Sequence, residues 1–388
     1  MSIYKNNNAY IVAIGKYLPG EPIDNDTMES RLGLVNDKPS RFRRRILKSN
    51  GITSRHYALD HEGQSTHMTD ELAALAVNDA LSNANLSASN IDMLAVGTTL
   101  PDLLAPGIAS MVHGRIQGKA MDILSCAGIC GSGAAAFKAA AMSVIAGQHE
   151  CAISAGTERP SVIMKGHRFT KESEIDHNDD RISEAYNYFS SDFLRWMLSD
   201  GAGAFVIANQ PNPHKPSLKI EWIETTSFAH ELPTCMYMGT TKPETPAIDN
   251  TWLHQNNLSE VDDLGLLLLR QDTKLLGENI VRIVADFAQT LSDRDLLDAD
   301  RIDWFLPHIS SFFFKEKLAE ALVERGVPIP HDKWFTNLKT CGNTGAASMY
   351  IMLDALFYSD HIKPGEKILL MIPESGRFSV TYALLTVV

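Results

Sequence analysis

The stretch Met121–Gly147 constrains the fold most, because it joins a short apolar run to a helix-forming segment through small residues. Met121–Leu124 is typical of a strand, and Ala134–Ala146 is rich in alanine, which favours helix. Cys126, Cys130 and a Gly-Ser-Gly tripeptide lie between them. A cysteine at such a junction is close to free backbone N–H groups and to the positive end of a helix dipole, which both favour thiolate over thiol. We therefore interpret Cys130 as a nucleophile, although a free cysteine is more often a buried small apolar residue.

Composition indicates an ordinary globular protein. The chain has 388 residues, of which 44% are hydrophobic and 21% charged, and this length suits two domains. A net charge of −12 gives no general reason to expect a nucleic acid or an anionic membrane as partner. The five cysteines have no CxxC spacing, so we expect neither disulfides nor a metal site, and we expect a cytoplasmic location.

Strands and helices alternate along the first half. Tyr10–Ile14, Ile91–Gly97 and Glu150–Ala155 are apolar runs typical of strands. Apolar residues recur at helical spacing in Thr69–Asn85, and Leu103–Gln117 is also predicted to be helical. This alternation predicts an α/β fold with helices packed on the faces of a sheet.

The clearest linker is Asn209–Ser217, which is rich in proline and polar residues. We place the domain division there, which gives an N-terminal half at 1–208 and a C-terminal half at 209–388. Within the first half, the polar and then aromatic segment 166–199 is predicted to be an insertion that caps the core. The irregular segment 227–258 is predicted to line a substrate tunnel.

Two polar residues of the second half complete a candidate site with Cys130. His308 closes a predicted strand, and Asn343 precedes a predicted helix. Each is alone a common structural residue, but a thiolate that attacks a thioester needs hydrogen-bond donors for the oxyanion or enolate that follows. The backbone N–H groups of Cys130 and of the late loop, at Gly376 or Arg377, are the predicted oxyanion donors.

Motifs along nearly the whole chain now point to one family: Tyr17–Gly20 (YLPG), Gly51–His56 (GITSRH), Val96–Thr99 (VGTT), Cys130–Ala136 (CGSGAAA), Asp200–Ala204 (DGAGA), Pro307-His308 and Gly342–Ser348 (GNTGAAS). With these the chain resembles the thiolase superfamily, in particular the ketoacyl-ACP synthase III-like condensing enzymes. The resemblance implies a five-layered αβαβα fold from two pseudo-repeated halves, and a homodimer. It implies acyl-CoA or acyl carrier protein thioesters as substrates, with no further cofactor. It also implies that Cys130 is acylated and that His308 and Asn343 assist carbon–carbon bond formation.

The resemblance also separates the two cysteines. In the family the nucleophile stands a fixed helix length before a glycine, and Gly147 then selects Cys130 over Cys126, which we expect to be structural. Glu158 is a candidate base for deprotonating a second substrate. The interpretation that we prefer for it is an ion pair with Arg159 or another basic residue.

The chain departs from the family pattern in three places. The tryptophan that commonly stacks on CoA is not evident, and its region holds basic residues instead: Arg41, Arg43, Arg44, Arg45 and Lys48. This cluster is either a solvated helix face or a docking site for a phosphate-bearing or acidic partner, which favours a carrier protein. Ala105 stands where the family often has a bulky residue, which indicates a wider acyl pocket. The late loop, 373–379, reads PESGRFS rather than a plain glycine run.

These departures resemble the branch that joins two acyl chains into a dialkylcyclohexanedione or dialkylresorcinol precursor. There a β-ketoacyl thioester meets an unsaturated acyl group on the cysteine, and a ring closes. A chain-initiating synthase that uses malonyl-ACP stays open as an alternative. So does acyl transfer to oxygen or nitrogen, although that chemistry favours a carboxylate where Asn343 stands. A Cys-His-Asn peptidase has no supporting signature here, and a non-catalytic subunit would be expected to lack the nucleophile.

Overall fold

The computed structural model describes residues 7–169, 192–241 and 250–388. Its strands are β1 (Tyr10–Tyr17), β2 (Ile23–Asp24), β3 (Ser54–Arg55), β4 (Met93–Thr98), β5 (Asp122–Ala127), β6 (Cys151–Glu158), β7 (Gly201–Ala208), β8 (Leu218–Ser227), β9 (Met236–Tyr237), β10 (Arg270–Gln271), β11 (Trp304–Pro307), β12 (Lys367–Glu374) and β13 (Ser379–Val387). Its helices are α1 (Met28–Leu32), α2 (Arg43–Asn50), α3 (Thr69–Ala84), α4 (Ile108–Ile116), α5 (Gly131–Ile145), α6 (Leu258–Asp263), α7 (Thr273–Asp293), α8 (Lys315–Glu324), α9 (Leu338–Cys341) and α10 (Ser348–Phe357).

The larger strands form one mixed sheet in the order β11-β12-β13-β8-β1-β7-β6-β4-β5. β4 runs parallel to both β5 and β6, and β7 runs antiparallel to β6 and β1. On the other side, β11 and β12 are parallel, and β12, β13 and β8 are antiparallel neighbours. The two sets of strands meet where Tyr10 and Ile11 of β1 pair with the start of β8. The linker predicted at 209–217 lies between β7 and β8, which belong to different sets.

Three buried clusters divide this arrangement into layers. In the first cluster α3 and α4 cover the outer face of the N-terminal strands. In the second, α5 and α10 lie between the two sets of strands, and in the third α7 and α8 cover the C-terminal strands. The order is therefore helix, sheet, helix, sheet, helix. This confirms the five-layered αβαβα fold.

The central layer requires helices that can be buried on all sides. α5 meets this need because it is mostly alanine and glycine, and α10 because nearly all of its side chains are buried. A Cβ on Gly133 would lie 2.1 Å from the carbonyl oxygen of Ala346, so only glycine allows this close approach. The hydroxyl of Tyr350 donates to the carbonyl oxygen of Gly133 at 2.9 Å. The start of α5 is thereby fixed against the start of α10.

Two predicted features end up partly outside the described residues. Of the predicted capping insertion 166–199, residues 170–191 are not described, and its first residues form a short 3-10 helix, Gly166–Phe169. Of the irregular segment 227–258, residues 242–249 are not described. In the described part of that segment, Met236 lines the cavity that contains Cys130.

Candidate active site

A cavity of about 940 Å³ is lined by residues from both sets of strands. Cys130, His308 and Asn343 all line it. Sequence reasoning placed these three side chains in one crevice, and the structure brings them to the same cavity. Cys126 is not among the lining residues, and it packs at the edge of the central layer instead.

Cys130 stands at the N-terminal end of α5, three residues after β5 ends. Two close contacts hold this turn in place: a Cβ on Gly97 would lie 2.2 Å from the carbonyl oxygen of Ser132, and the Ser132 hydroxyl donates to the carbonyl oxygen of Ile129 at 2.8 Å. The small residues that the sequence showed around Cys130 are thus required by the packing of β4 against α5.

The thiol does not have the lowered pKa expected at a helix start. Burial raises the pKa of Cys130, and the negative charges of Glu158 and Glu374 raise it further. The expectation that the helix dipole favours a thiolate here is therefore wrong. In the free protein at neutral pH, Cys130 is a neutral thiol that needs a proton acceptor before it can attack.

His308 is suited to accept that proton. It follows β11, its backbone N–H donates to the carbonyl oxygen of Met371 at 2.8 Å, and its side chain is buried. Burial lowers the pKa of His308 to about 4, so the ring is neutral at pH 7. A neutral imidazole has one nitrogen that can accept a proton and one N–H that can donate.

Asn343 is held by backbone contacts on both sides. Its N–H donates to the carbonyl oxygen of Met197 at 3.0 Å, and its carbonyl oxygen accepts from the N–H of Ser199 at 2.9 Å. The side-chain oxygen Oδ1 accepts from the N–H of Gly345 at 2.9 Å. Since this contact needs an acceptor, the side chain offers its NH2 group to a ligand.

Glu158 also lines the cavity, at the end of β6. Its Oε1 accepts hydrogen bonds from the N–H of Thr99 at 3.0 Å, the hydroxyl of Thr99 at 2.5 Å and the N–H of Ala346 at 3.2 Å. Burial raises the pKa of Glu158 to about 7 in spite of these bonds. A Cβ on Gly345 would lie 2.8 Å from the Cγ of Glu158, so glycine beside Asn343 makes room for the carboxylate.

The preferred interpretation of Glu158 as an ion-pair partner of Arg159 is wrong. The guanidinium of Arg159 pairs with Asp102 and also donates to Ser65 and to the carbonyl oxygen of His67. Glu158 has no salt bridge to another described residue.

The late loop differs from the expectation about its backbone donors. The N–H of Gly376 donates to Oε1 of Glu374 at 2.7 Å, and the N–H of Arg377 is directed to the same carboxylate. Gly376 and Arg377 are therefore not the free oxyanion donors that the sequence suggested, because a carboxylate already occupies them. Ser375, the preceding residue, does line the cavity.

The basic cluster is only partly available for docking. Arg43 pairs with Asp26, and its guanidinium stacks on the ring of Trp196. Arg41, Arg44, Arg45 and Lys48 are exposed.

The guanidinium carbon of Arg43 lies 5.4 Å from the centre of the Trp196 ring. The contacts of this arginine are thus made within the protein itself. The helix that carries the cluster, α2, packs against the short 3-10 helix Phe312–Phe314. Phe314 lines the cavity. The exposed members of the cluster therefore lie on or beside α2, which is next to the part of the cavity wall that Phe314 forms.

Sequence reasoning missed two features of the site, which are a group of apolar cavity residues and a carboxylate behind the cavity wall. Leu276, Ile280 and Val284 line the cavity from one face of α7, and their i, i+4, i+8 spacing was a usable signal, although it is equally typical of any core helix. Glu374 belongs to the late-loop motif PESGRFS. Its position at the end of an apolar strand was the signal that could have predicted a half-buried carboxylate there.

Comparisons with known proteins agree with this architecture. Residues 58–190 match the family model for the thiolase N-terminal domain, and residues 293–376 match the model for the 3-oxoacyl-[acyl-carrier-protein] synthase III C-terminal domain. A beta-ketoacyl-[acyl-carrier-protein] synthase III of Bordetella petrii is 24% identical over 364 residues, which cover 93% of each chain.

Two solved structures share the fold. OleA of Xanthomonas campestris, with bound lauric acid and lauroyl-CoA, gives a TM-score of 0.74 at 19% identity and covers 98% of this chain and 100% of its own. The tetronic acid condensing enzyme AbyA1 gives a TM-score of 0.73 at 18% identity and covers 97% of this chain and 99% of its own.

Fold, cavity and comparisons together place the chain in the thiolase superfamily. Within it, the chain is a condensing enzyme of the ketoacyl-ACP synthase III-like type, which transfers acyl groups and forms carbon–carbon bonds. Among the described helices, none has the length and apolar character needed to cross a membrane.

Proposed function

We propose that Cys130 is acylated by an acyl thioester and that a second thioester then attacks this acyl group to form a carbon–carbon bond. The observation that carries the proposal is the shared cavity, which a half-buried thiol, a neutral imidazole and an asparagine side chain all line. Each of these three groups has a distinct part in thioester chemistry.

Acylation begins with transfer of the thiol proton of Cys130 to the neutral ring of His308. The sulfur attacks the thioester carbonyl, a new carbon–sulfur bond forms, and the bond to the leaving thiol breaks. The leaving thiolate takes the proton from His308, so the ring returns to its neutral form. The N–H of Cys130 is the proposed donor to the oxyanion of the tetrahedral intermediate.

Condensation requires a carbanion or enolate on the second thioester. His308 and Asn343 offer N–H groups that can stabilise the enolate oxygen. Glu158 is the proposed base that removes the proton from the α-carbon, since it lines the cavity and has no salt bridge to another described residue. The enolate carbon then attacks the acyl carbon on Cys130, the bond from that carbon to the sulfur breaks, and the sulfur takes up the proton that Glu158 removed. A carboxylate with its pKa raised to about 7 is a stronger base than an ordinary glutamate and is still partly ionised at pH 7.

A base at this position favours one class of second substrate. A malonyl thioester forms its enolate by losing carbon dioxide and needs no base for that step. An acyl or β-ketoacyl thioester must lose an α-proton. We therefore favour a non-decarboxylative condensation with a β-ketoacyl thioester, and a chain-initiating reaction with malonyl-ACP is the second candidate.

The cavity wall supports long acyl groups. Besides the face of α7, it includes Phe314 and Leu318 of the C-terminal half and Leu100 and Ile163 of the N-terminal half. OleA, a protein of the same fold, has a structure with bound lauric acid, a long acyl chain. Two acyl chains on the two sides of Cys130 would suit closure to a dialkylcyclohexanedione or dialkylresorcinol precursor, which is the finer product that we propose.

An acyl carrier protein is the proposed donor. Two relatives are each named beta-ketoacyl-[acyl-carrier-protein] synthase III. The exposed cations Arg41, Arg44, Arg45 and Lys48 on and beside α2 suit an acidic partner that carries a phosphopantetheine arm. CoA thioesters stay an alternative donor.

A homodimer is proposed from the edge of the sheet. β5 is the last strand in the sheet order, and most of its residues are exposed, including Ile123 and Leu124. Leu103 and Leu104 add exposed apolar surface, and Leu104 is 86% exposed. An unpaired edge strand with apolar side chains is suited to pairing with a second copy of itself.

The products formed from defined substrates test the function. The purified protein is incubated with an enoyl thioester together with a β-ketoacyl thioester or with malonyl-ACP, and products are identified by mass spectrometry. A condensed, cyclised product from the β-ketoacyl pair supports the proposal. A linear β-ketoacyl product from malonyl-ACP alone would establish chain initiation instead, and acyl esters or amides would indicate transfer to oxygen or nitrogen.

A further inference from the structure

Glu374 lies behind the nucleophile. Its neighbours Pro373 and Ser375 line the cavity, whereas Glu374 is not among the lining residues. A Cβ on Gly131, the first residue of α5, would lie 3.0 Å from the Cγ of Glu374. The end of β12 therefore packs directly against the start of the helix that carries Cys130, and a larger residue at position 131 would press on the Glu374 side chain.

The carboxylate of Glu374 is bound from two loops. Its Oε1 accepts from the N–H of Gly376 at 2.7 Å, and its Oε2 accepts from the hydroxyl of Ser379 at 3.4 Å. Burial raises the pKa of Glu374, whereas the N–H groups of Gly376, Arg377 and Ile129 favour its charged form. Ile129 precedes the nucleophile, and the other three residues belong to the late loop and the start of β13. One carboxylate thus joins the two chain segments that meet at Cys130.

We propose that Glu374 is a positioning residue that fastens the late loop to the cysteine loop and holds a negative charge at the start of α5, where it opposes formation of the Cys130 thiolate. The N–H groups and the dipole at a helix start normally favour a thiolate. Here the Glu374 side chain packs beside Gly131, the first residue of α5, so its carboxylate lies near those groups. The nucleophile therefore stays protonated until a bound thioester and His308 allow the proton to leave.

The other charged groups around Cys130 do not offset this effect. Glu158, at the end of β6, also raises the pKa of the thiol. His308, after β11, is neutral because burial lowers its pKa to about 4. Arg159 is committed to Asp102. A protonated thiol reacts slowly with alkylating agents and oxidants, so the free protein is protected while it waits for substrate.

The inference rests on the proposed role of Cys130, but its test needs no catalysis. The rate of alkylation of the Cys130 peptide by iodoacetamide is measured by mass spectrometry between pH 6 and pH 10 in wild type, Glu374→Gln and Glu221→Gln. Glu221 is a matched control, because it is also a hydrogen-bonded carboxylate of the same sheet, with Lys219 and Thr386 as partners. Acylation by thioesters, measured separately, reports on the proposed function.

The wild type is expected to alkylate slowly up to pH 9. Glu374→Gln is expected to move the alkylation profile down by about one pH unit, which is about tenfold faster alkylation at pH 8. Glu221→Gln should leave the profile unchanged. A wild-type profile with its midpoint below pH 8, or a folded Glu374→Gln protein with the wild-type profile, would overturn the inference.

A second variant covers the case in which Glu374→Gln does not fold. Glu374→Asp keeps the charge and shortens the side chain by one methylene, so it should weaken the contacts to the late loop while the thiol stays protonated. We expect a lower thermal unfolding midpoint with an alkylation profile like that of the wild type. A profile moved to lower pH in this variant would show that packing rather than charge holds the proton, and would also overturn the inference.

Discussion

Two glutamates, one buried and one half-buried, approach Cys130 from the two halves of the molecule, and the difference between their surroundings separates their roles. Glu158 ends β6 and lines the cavity, and its Oε1 accepts from Thr99 and Ala346. Glu374 ends β12, packs behind the nucleophile and has both oxygens engaged. The carboxylate of Glu158 is thus available to a substrate, whereas that of Glu374 is bound by the late loop. Access to the cavity, more than burial, therefore decides which carboxylate can act as a base.

The largest expected effect comes from His308, which lines the cavity together with Cys130 and Glu158. Replacing His308 by alanine removes the acceptor for the thiol proton and one donor to the enolate. Condensation should fall by about a thousandfold or more, since general base and oxyanion contributions are each of that order. Steady-state product formation measures this loss. A variant that folds and keeps more than a tenth of wild-type activity would contradict the assignment.

The next effect separates the two glutamates directly. Glu158→Gln keeps an oxygen that can accept from Thr99 and Ala346 but removes the base. Condensation should fall by about a hundredfold or more, whereas acylation of Cys130 should stay within a few-fold of wild type. Intact mass measures acylation, and product analysis measures condensation. Equal loss of both half-reactions would assign Glu158 to structure, and Arg159→Gln serves as the control for a change at the neighbouring position.

The pH dependence sharpens the same distinction. Glu158 must be ionised to act as a base, and its pKa is raised to about 7, so condensation should rise with pH through about 7. Acylation depends on neutral His308, whose pKa is lowered to about 4, so it should not change in that range. Rates of the two half-reactions from pH 5 to pH 9 test this. A rise near pH 7 that persists in Glu158→Gln would come from another group.

The smallest effect is on stability. Because the folded-state pKa of Glu158 lies above its value in the unfolded chain, the folded state loses stability as pH rises from about 5 through about 7. Glu158→Gln escapes this loss. Its stability relative to wild type should increase by on the order of 1–3 kcal/mol between pH 5 and pH 8. Thermal unfolding at both pH values measures it, and a constant difference would show that Glu158 is already ionised at pH 5.

Much of the fold could be predicted from local signals. The alternating strands and helices of the first half and the alanine-rich α5 were visible because each element has its own periodicity or composition. The long helix α7 likewise begins at a local signal, since Asp272 caps its first turn by accepting from the N–H of Leu275. Such features depend on neighbours in sequence, so the sequence reveals them.

The electrostatics of the site could not be predicted in the same way. The helix start at Cys130 suggested a thiolate, but the carboxylates that oppose it come from β6 and β12, far away in sequence. The predicted pairing of Glu158 with Arg159 failed because the two side chains leave the backbone in different directions, and Arg159 reaches Asp102. Long-range packing decides both outcomes.

The identity of the acylated residue tests the central claim most directly. The protein is incubated with an acyl thioester, and the site of the added mass is located by peptide mapping. We expect one acyl group, on the peptide that contains Cys130, with Cys130 rather than Cys126 modified, and no acylation in Cys130→Ala. Acylation of a different cysteine, or equal acylation of the Cys130→Ala protein, would contradict the account.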